Sequence, residues 1–283
     1  MSASPLGVMQ GRLLPKYRGR YQAHPCGYWQ DEFPLAAGLG LASIEFIVDF
    51  EDADQNPLMR DSGPDEILAL CEKTGVAVKS VCADYFMDSP LHGVDEGSAR
   101  ASTQALSRLM RNCARVGIED IVIPCVDRSR MKDREDRAEF STRLLPLVES
   151  AAKSRLRLSL ETDLAPEPFA ELLHGLDPAV VTVNYDMGNS ASLGYDAAQE
   201  FAAYGARISD VHIKDRTLGG GSVPLGTGAV DFQKVFNLLA SSSYRGPLIM
   251  QAFRDDEGLA VFKRQLDWIR PFAAQCAQET RQA

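Results

Sequence analysis

The sequence predicts one (β/α)8 barrel over residues 1–283. Eight short apolar runs recur at the interval of a strand–helix unit, as in a parallel barrel. The competing fold, an open doubly wound sheet, usually carries a G-x-G-x-x-G turn after its first strand, and the segment MQGRLLPKYRGR at that place lacks it. The predicted strands are 5–9, 43–48, 76–83, 120–126, 156–161, 180–186, 210–215 and 247–253.

Helical patterns lie between these runs. Apolar residues recur with the helical period over 98–116 and again over 258–272. Asp231 is the predicted N-cap of a helix over 231–240. No low-complexity linker divides the chain, so we expect a single domain.

The bulk composition excludes several classes of protein. Apolar residues make up 45% of the chain and charged residues 24%, as in ordinary globular proteins. The net charge of −9 and the lack of a basic patch argue against nucleic acid as a partner. No run approaches the roughly 18–20 apolar residues of a membrane span, and the N-terminus lacks the pattern of a signal peptide. We therefore expect a cytoplasmic protein with no membrane or nucleic-acid partner.

The six cysteines form no C-x-x-C pair, so the sequence contains neither a zinc ribbon nor a redox motif of that type. Cys82 and Cys125 lie inside apolar strand-like runs, and Cys113 lies on the apolar face of a helix. We interpret them as buried thiols in a reducing compartment.

The longest irregular segment spans residues 10–30. A long loop in a compact domain is often functional, so we expect a lid over the site or an oligomer contact. The aromatic residues within 17–29 suggest a homodimer. The polar and aromatic residues concerned are Arg12, Arg18, Arg20, Tyr21, His24, Tyr28 and Trp29.

Three polar residues end three consecutive predicted strands: Glu161, Asp186 and His212. The first two are 25 residues apart and the last two 26. The C-terminal ends of the strands are where a (β/α)8 barrel carries its chemistry. Two carboxylates and an imidazole suit a divalent metal. A lone acid at a strand end is often only a helix cap, but three residues at matched spacing favour a metal site.

Strand alternation supports this site. Asn184 and Asp186 share one face of the sixth strand, and Asp210, His212 and Lys214 share one face of the seventh. The outward face of a barrel strand meets helices, so these polar faces are predicted to point inward.

Several phrases resemble a known family, the sugar phosphate isomerase/epimerase group of xylose isomerase-like barrels. The phrases are LSLETD, NYDMGN, HIKDR, PLGTGAVDF and YRGPLIMQAFR, and the resemblance is most specific over 156–254. Within the group, the L-ribulose-5-phosphate 3-epimerases and ketose 3-epimerases are the most similar. The resemblance implies an isomerase or epimerase that acts on a keto sugar or sugar phosphate and uses one divalent metal, Mn²⁺, Mg²⁺ or Zn²⁺.

In that family Glu, Asp, His and a second Glu hold the metal. Glu161, Asp186 and His212 match the first three positions, and Gln251 stands at the fourth. An amide oxygen can bind a hard cation, so we expect Gln251 to be the fourth ligand. It cannot act as a general base, whereas the family's two glutamates exchange protons on opposite faces of the substrate carbon. The departure argues against that two-base mechanism here.

Glu161 is therefore the expected base, and Lys214 the expected acid or electrostatic clamp. One carboxylate and a metal suffice for isomerisation through an enediol. A metal-dependent dehydratase of a polyol or keto acid remains an alternative, as does a sugar-binding barrel that has lost catalysis. A repair endonuclease of the same fold is disfavoured by the four histidines and the acidic charge.

Other polar residues follow the strands and are candidate substrate contacts. The glycine-rich segment 219–228 is either a phosphate cradle or a plain loop. The candidate substrate-binding residues are Gln10, Arg12, Glu45, Asp84, Asn189, Arg216 and Arg254.

Overall fold

The computed structural model of the chain describes residues 6–242 and 244–279, with side chains through residue 275. Eight parallel strands follow one another in chain order around a closed barrel, and the last pairs with the first. The predicted barrel is confirmed, and every predicted strand is present with shifted ends. The strands are β1 (Leu6–Met9), β2 (Ser43–Ile47), β3 (Ser80–Cys82), β4 (Asp120–Cys125), β5 (Arg157–Thr162), β6 (Val181–Asp186), β7 (Ile208–Ile213) and β8 (Leu248–Met250).

Helices surround the barrel, and those predicted near 98–116, 231–240 and 258–272 are confirmed as α4, α9 and α10. The side chain of Asp231 accepts a hydrogen bond from the N–H of Lys234, as expected of an N-cap. Within the described residues, none of the helices has the length and apolar character needed to cross a bilayer. The helices are α1 (Glu32–Gly38), α2 (Gly63–Thr74), α3 (Tyr85–Asp88), α4 (Glu96–Val116), α5 (Arg134–Lys153), α6 (Pro166–His174), α7 (Met187–Leu193), α8 (Ala197–Tyr204), α9 (Phe232–Ser241) and α10 (Ala260–Glu279).

The interval between Asp186 and His212 contains two helices, α7 and α8. Asp186 ends β6 and also caps α7, since its carboxylate accepts from the N–H of Asn189. Gly194, with φ of +78°, ends α7 in the left-handed conformation that glycine tolerates. Asp196 then caps α8. The extra helix matters because it brings Asn189 to the mouth of the barrel.

The predicted inward and outward faces of the strands are confirmed. Asn184 of β6 points inward and contacts His212 of β7. Tyr185 points outward and packs edge-on against Phe201 of α8, with ring centroids 5.2 Å apart. A separate cluster of buried side chains from β1, β2, β3, β4 and β8 fills the barrel interior. Its members are Met9, Ile47, Cys82, Val122 and Ile249.

The segment of residues 10–30, which we call the first loop, is tied to the barrel rim. Glu32, the first residue of α1, accepts from the backbone N–H groups of Gly11 and Leu13. At its other end, the hydroxyl of Tyr21 donates to a backbone carbonyl in the segment after β8. The first loop is therefore attached both to α1 and to the segment after β8, and its role as a lid stays a prediction. Its role in an oligomer stays a prediction.

Glu32 gives the first testable prediction. Its side chain is fully buried, and burial raises the pKa of its carboxyl to about 7 from 4.5. The folded state favours the protonated carboxyl. The free energy of unfolding should therefore fall as the pH rises from 4.5 to about 7 and the buried carboxyl ionises. Relative to Glu32→Gln, the wild type should lose about 3 kcal/mol of unfolding free energy between these two pH values. Urea denaturation at several pH values measures the difference. Parallel curves for the two proteins would contradict it, and Glu66→Gln, at an exposed position, is the control.

Candidate active site

The C-terminal ends of β5, β6 and β7 bring Glu161, Asp186 and His212 together. One ligand atom from each lies within 4.8 Å of the others, and all three residues are buried. Gln251 follows β8 and is also buried. The predicted convergence of three polar residues at one end of the barrel is therefore correct, and it has the composition of a cation site.

Asn184 determines the protonation of the His212 ring. Its Nδ2 lies 3.1 Å from Oε2 of Glu161 and 3.0 Å from Nδ1 of His212. A carboxylate oxygen only accepts, so the atom facing both groups is the amide nitrogen, and Nδ1 accepts from it. The proton of the neutral ring is therefore on Nε2. This nitrogen donates to Oε1 of Glu45 at 2.8 Å.

Glu45 lies inside the barrel beneath His212, which corrects its expected contact with sugar hydroxyls. It is fully buried, and its Oε2 accepts from the hydroxyl of Ser80 at 2.5 Å. Asp210 is its other neighbour, and burial raises the pKa of both carboxyls. Asp210 has no donor for either oxygen among the described residues, so it is the member of the pair that keeps a proton and donates to Glu45. Glu45 thus holds His212 with Nδ1 directed at the site, as in other carboxylate–histidine–metal arrangements.

Asn189 connects the remaining polar residues. Its Nδ2 donates to Oε1 of Glu161 at 2.7 Å. Its Oδ1 accepts from Nζ of Lys214 at 3.1 Å and from Nη1 of Arg216 at 2.9 Å. Lys214 also lies 3.4 Å from Oδ2 of Asp186. One amide from α7 therefore fixes the expected base and two cations in a single network.

On the opposite side, the first loop contributes Gln22, which the sequence analysis did not identify. Its Oε1 accepts from Nε2 of Gln251 at 2.8 Å and from Nη2 of Arg12 at 3.0 Å. Its Nε2 donates to Oδ2 of Asp84 at 3.2 Å. The predicted contacts Arg12 and Asp84 therefore face the same space as Gln251. No spacing or motif marked Gln22, because its loop has no periodicity.

The charged side chains and the available ligand atoms of this site suit a divalent cation. Burial, and then the charge of Asp186, raise the pKa of Glu161 to about 7, and the positive charge of Lys214 opposes that shift. A cation beside these carboxylates would relieve that cost. Oε1 of Gln251 is buried and has no hydrogen-bond partner in the described part of the chain. A buried carbonyl oxygen without a donor is a ready ligand for a hard cation.

Two other predicted substrate-binding residues, Gln10 and Arg254, contact neighbouring groups of the protein. Gln10 is fully buried, and its Oε1 accepts from the N–H of Ile47 and from Nδ1 of His24. It supports the first loop and β2, while its Nε2 has no hydrogen-bond partner among the described residues, and its contact with substrate stays a prediction. Arg254 lies over the ring of Tyr21, 4.5 Å from its centroid, and donates to backbone carbonyls. It is nearly buried at the same rim as Arg12.

The glycine-rich segment 219–228 is not a phosphate cradle. Asp215, fully buried at the end of β7, accepts from the N–H groups of Gly226 and Gly228 at 2.9 and 2.8 Å, and from that of Val230 at 3.2 Å. The backbone amides that could have bound a phosphate are used by this carboxylate.

Comparison with known families agrees with this fold. A family model described as a xylose isomerase-like TIM barrel matches residues 33–272, and the chain belongs to this family. A curated relative, L-ribulose-5-phosphate 3-epimerase UlaE of Escherichia coli, is 27% identical and the alignment covers 94% of each chain.

Two solved structures are also similar. The apo 3-keto-D-glucoside 4-epimerase YcjR from E. coli gives a TM-score of 0.73 at 19% identity, covering 94% of this chain and 99% of that one. A xylose isomerase-like TIM barrel protein from Mycobacterium smegmatis in complex with magnesium gives 0.71 at 19% identity, covering 98% and 99%. At these identities the likeness establishes the shared fold.

The Asp215 cluster gives the second prediction. Replacing Asp215 by Ala leaves three backbone N–H groups without their acceptor, so we expect the free energy of unfolding to fall by about 3 kcal/mol. Urea denaturation measures this change. Asp267→Ala is the control, since Asp267 lies on an exposed helix face, and its effect should stay within roughly 0.5 kcal/mol. Equal effects of the two substitutions would refute the assigned role.

Proposed function

We propose that this protein is a metal-dependent sugar isomerase or epimerase that enolises a keto sugar or its phosphate. The observation that carries the proposal is the convergence of two carboxylates, an imidazole nitrogen and the unpartnered Oε1 of Gln251 at one barrel mouth. The curated relative and the YcjR structure, both named as sugar epimerases, support the same class of reaction.

Glu161, Asp186, His212 and Gln251 would hold the divalent cation. Oxygen ligands with one imidazole suit Mn²⁺, Mg²⁺ or Zn²⁺, and the similar M. smegmatis structure is a magnesium complex. A metal bound there would polarise the substrate carbonyl and make the adjacent C–H bond more acidic. Glu45 and Asn184 orient the His212 ring for this role from within the barrel.

Glu161 is the base of the proposed reaction. Amide groups of Asn184 and Asn189 each donate to one of its oxygens, which fixes the direction of the carboxylate. It takes a proton from the carbon next to the carbonyl, and the carbonyl oxygen becomes an enediolate oxygen. Lys214 and Arg216 lie on the same network and stabilise that negative charge or return a proton to it.

Two arginines at the barrel rim near β1 and β8, Arg12 and Arg254, favour a phosphorylated substrate. Arg12 has a buried Nε without a partner among residues 6–242 and 244–279. Burial lowers the pKa of Arg12 to about 10, so an anion beside it would offset the cost of its burial. Arg254 acts on Arg12 electrostatically and lies at the same rim. Two guanidinium groups at this place suit a phosphate.

Proton exchange at carbon tests the proposed reaction. Wild-type protein loaded with Mn²⁺ and incubated with keto sugars and their phosphates in D₂O should incorporate deuterium next to the carbonyl, as followed by NMR. Glu161→Gln should lower the rate at least about 100-fold, since general-base catalysis contributes that much or more. Glu167→Gln, an acid on α6, is the matched control and should exchange like the wild type.

The two alternative functions, a dehydratase and a sugar-binding barrel, would give different NMR results in this experiment. A dehydratase would release water and yield a product with one fewer hydroxyl group, and a sugar-binding barrel would bind substrate without exchange. Either result would overturn the proposal. Exchange only with phosphorylated substrates would support the assignment of Arg12 and Arg254.

Metal affinity gives a separate prediction. Glu45→Gln weakens the acceptor of the Nε2–H group of His212, and Gln251→Ala removes a ligand. We expect each to lower the affinity for Mn²⁺ by roughly tenfold or more, measured by calorimetry on chelator-treated protein. Glu119→Gln, just before β4 at the other end of the barrel, is the control. Wild-type affinity in both variants would contradict the assigned ligand set.

A further inference from the structure

We propose that Asp84 is the second proton-transfer residue of this site and supplies the carboxyl group that Gln251 lacks. The inference rests on the proposed enolisation by Glu161. It concerns the stereochemical outcome: whether a proton can be removed on one face of the substrate and returned on the other.

Inversion at a carbon next to a carbonyl passes through a planar enediolate, which must be protonated on the face opposite to the one that lost the proton. A single carboxyl group at one side returns the proton to the same face. Gln251, from β8, has an amide and cannot exchange protons at neutral pH. A protein with this site therefore inverts a carbon only if another acid reaches the substrate.

Most nearby acids are unsuitable. Asp186 is held by the N–H of Asn189 and by Lys214 in the metal-binding position. Asp215 is used by the glycine-rich loop. Asp255 accepts from a backbone N–H in its own exposed turn.

Asp163 is less suitable, because no hydrogen bond among the described residues links its side chain to Gln22 or Gln251. Asp84 is partly exposed, and its hydrogen bond with Gln22 directs it at the space beside Gln251. Its negative charge acts on both Glu161 and Arg12.

The contacts of Asp84 aim it at that space. The buried thiol of Cys82 donates to its Oδ1 at 3.2 Å, and Gln22 donates to its Oδ2 at 3.2 Å. The same Gln22 amide accepts from Gln251. The side-chain amide of Gln22 thus bridges the carboxylate of Asp84 and Gln251, the residue that follows β8. A substrate that displaces the Gln22 amide releases Oδ2 of Asp84 toward its own carbon.

Asp84 and Glu161 approach from different parts of the ring of strands. Asp84 follows β3 and Glu161 lies near the end of β5, while Gln251 follows β8. The proposal requires that a substrate bound between them presents one face to Glu161 and the other to Asp84. The second carboxyl group of the site thus lies after β3, on Asp84, and not after β8, where Gln251 stands. The mouth of the barrel still has two acids.

The proton balance is simple. In one direction the carboxylate of Glu161 takes the proton as the C–H bond breaks, and the electron pair passes into the enediolate. Asp84, which has taken up a proton from solvent before this step, then gives that proton to the other face of the same carbon, forming the new C–H bond. Glu161 is left protonated and Asp84 ionised, and exchange with solvent restores both. The reverse reaction exchanges the two roles.

The test separates exchange from inversion. Mn²⁺-loaded wild type, Asp84→Asn and the double variant Asp84→Asn/Gln251→Glu are incubated in D₂O with keto sugars and their phosphates. NMR then measures both epimer formation and deuterium in the unconverted substrate. Asp84→Asn should lower epimer formation at least about 100-fold, while deuterium exchange on the Glu161 face falls far less. The double variant should recover epimer formation at least about tenfold, because a carboxyl group returns on β8.

Asp88→Asn, on exposed α3 four residues later, is the matched control and should match the wild type. Calorimetric Mn²⁺ affinity should be the same in Asp84→Asn and wild type, which excludes general damage to the site. Asp84 is excluded if Asp84→Asn still forms the epimer at the wild-type rate. It is also excluded if exchange and inversion fall together without recovery in the double variant, since Asp84 would then only bind substrate.

The two proposals fail in different ways. A wild type that shows no exchange with any substrate overturns the proposed function and the role of Asp84 together. A wild type that only interconverts aldose and ketose, with no effect of Asp84→Asn, keeps the proposed function and overturns Asp84 alone.

Discussion

The hydrogen bond between Nε2 of His212 and Glu45 is the interaction on which the site depends. It places the ring proton inside the barrel and leaves Nδ1 as an acceptor beside Glu161. Its own stability depends on a second buried carboxyl, Asp210, that keeps a proton and faces Glu45. Two acids and an imidazole can lie together in the barrel interior only because they share protons and donors, since isolated buried charges are too costly.

Around this centre, two amide side chains organise the mouth of the barrel. Asn189 ties Glu161 to the cations that follow β7, and Gln22 ties Gln251 to Arg12 and Asp84 on the other side. Amides suit this role because each can donate and accept at once. The space between them is lined on one side by the proposed metal ligands and on the other by a cationic rim, which is the arrangement a small polyhydroxylated anion requires.

Much of the site was predictable because barrel strands end at the same rim. Glu161, Asp186, His212 and Lys214 were identified from strand ends and alternation alone, and they do meet. The sequence predictions that failed concern how deep a side chain lies in the barrel and how the loops use their backbone amides. Glu45 has the inward parity of a pocket residue but lies one layer below the mouth. The backbone amides of the glycine-rich loop were already used by Asp215, which no local pattern reveals.

The sequence by itself determined the fold, because the spacing of apolar runs leaves few ways to bury eight strands, and it determined which strand ends carry the clustered polar residues. Only the tertiary structure decided which polar groups share a proton, a donor or a face of the pocket. Gln22 reaches Gln251 across 229 positions of sequence, and His212 reaches Glu45 across 167. Such pairings depend on barrel closure and loop packing, which bring distant residues within hydrogen-bonding distance and leave no periodic trace in the chain.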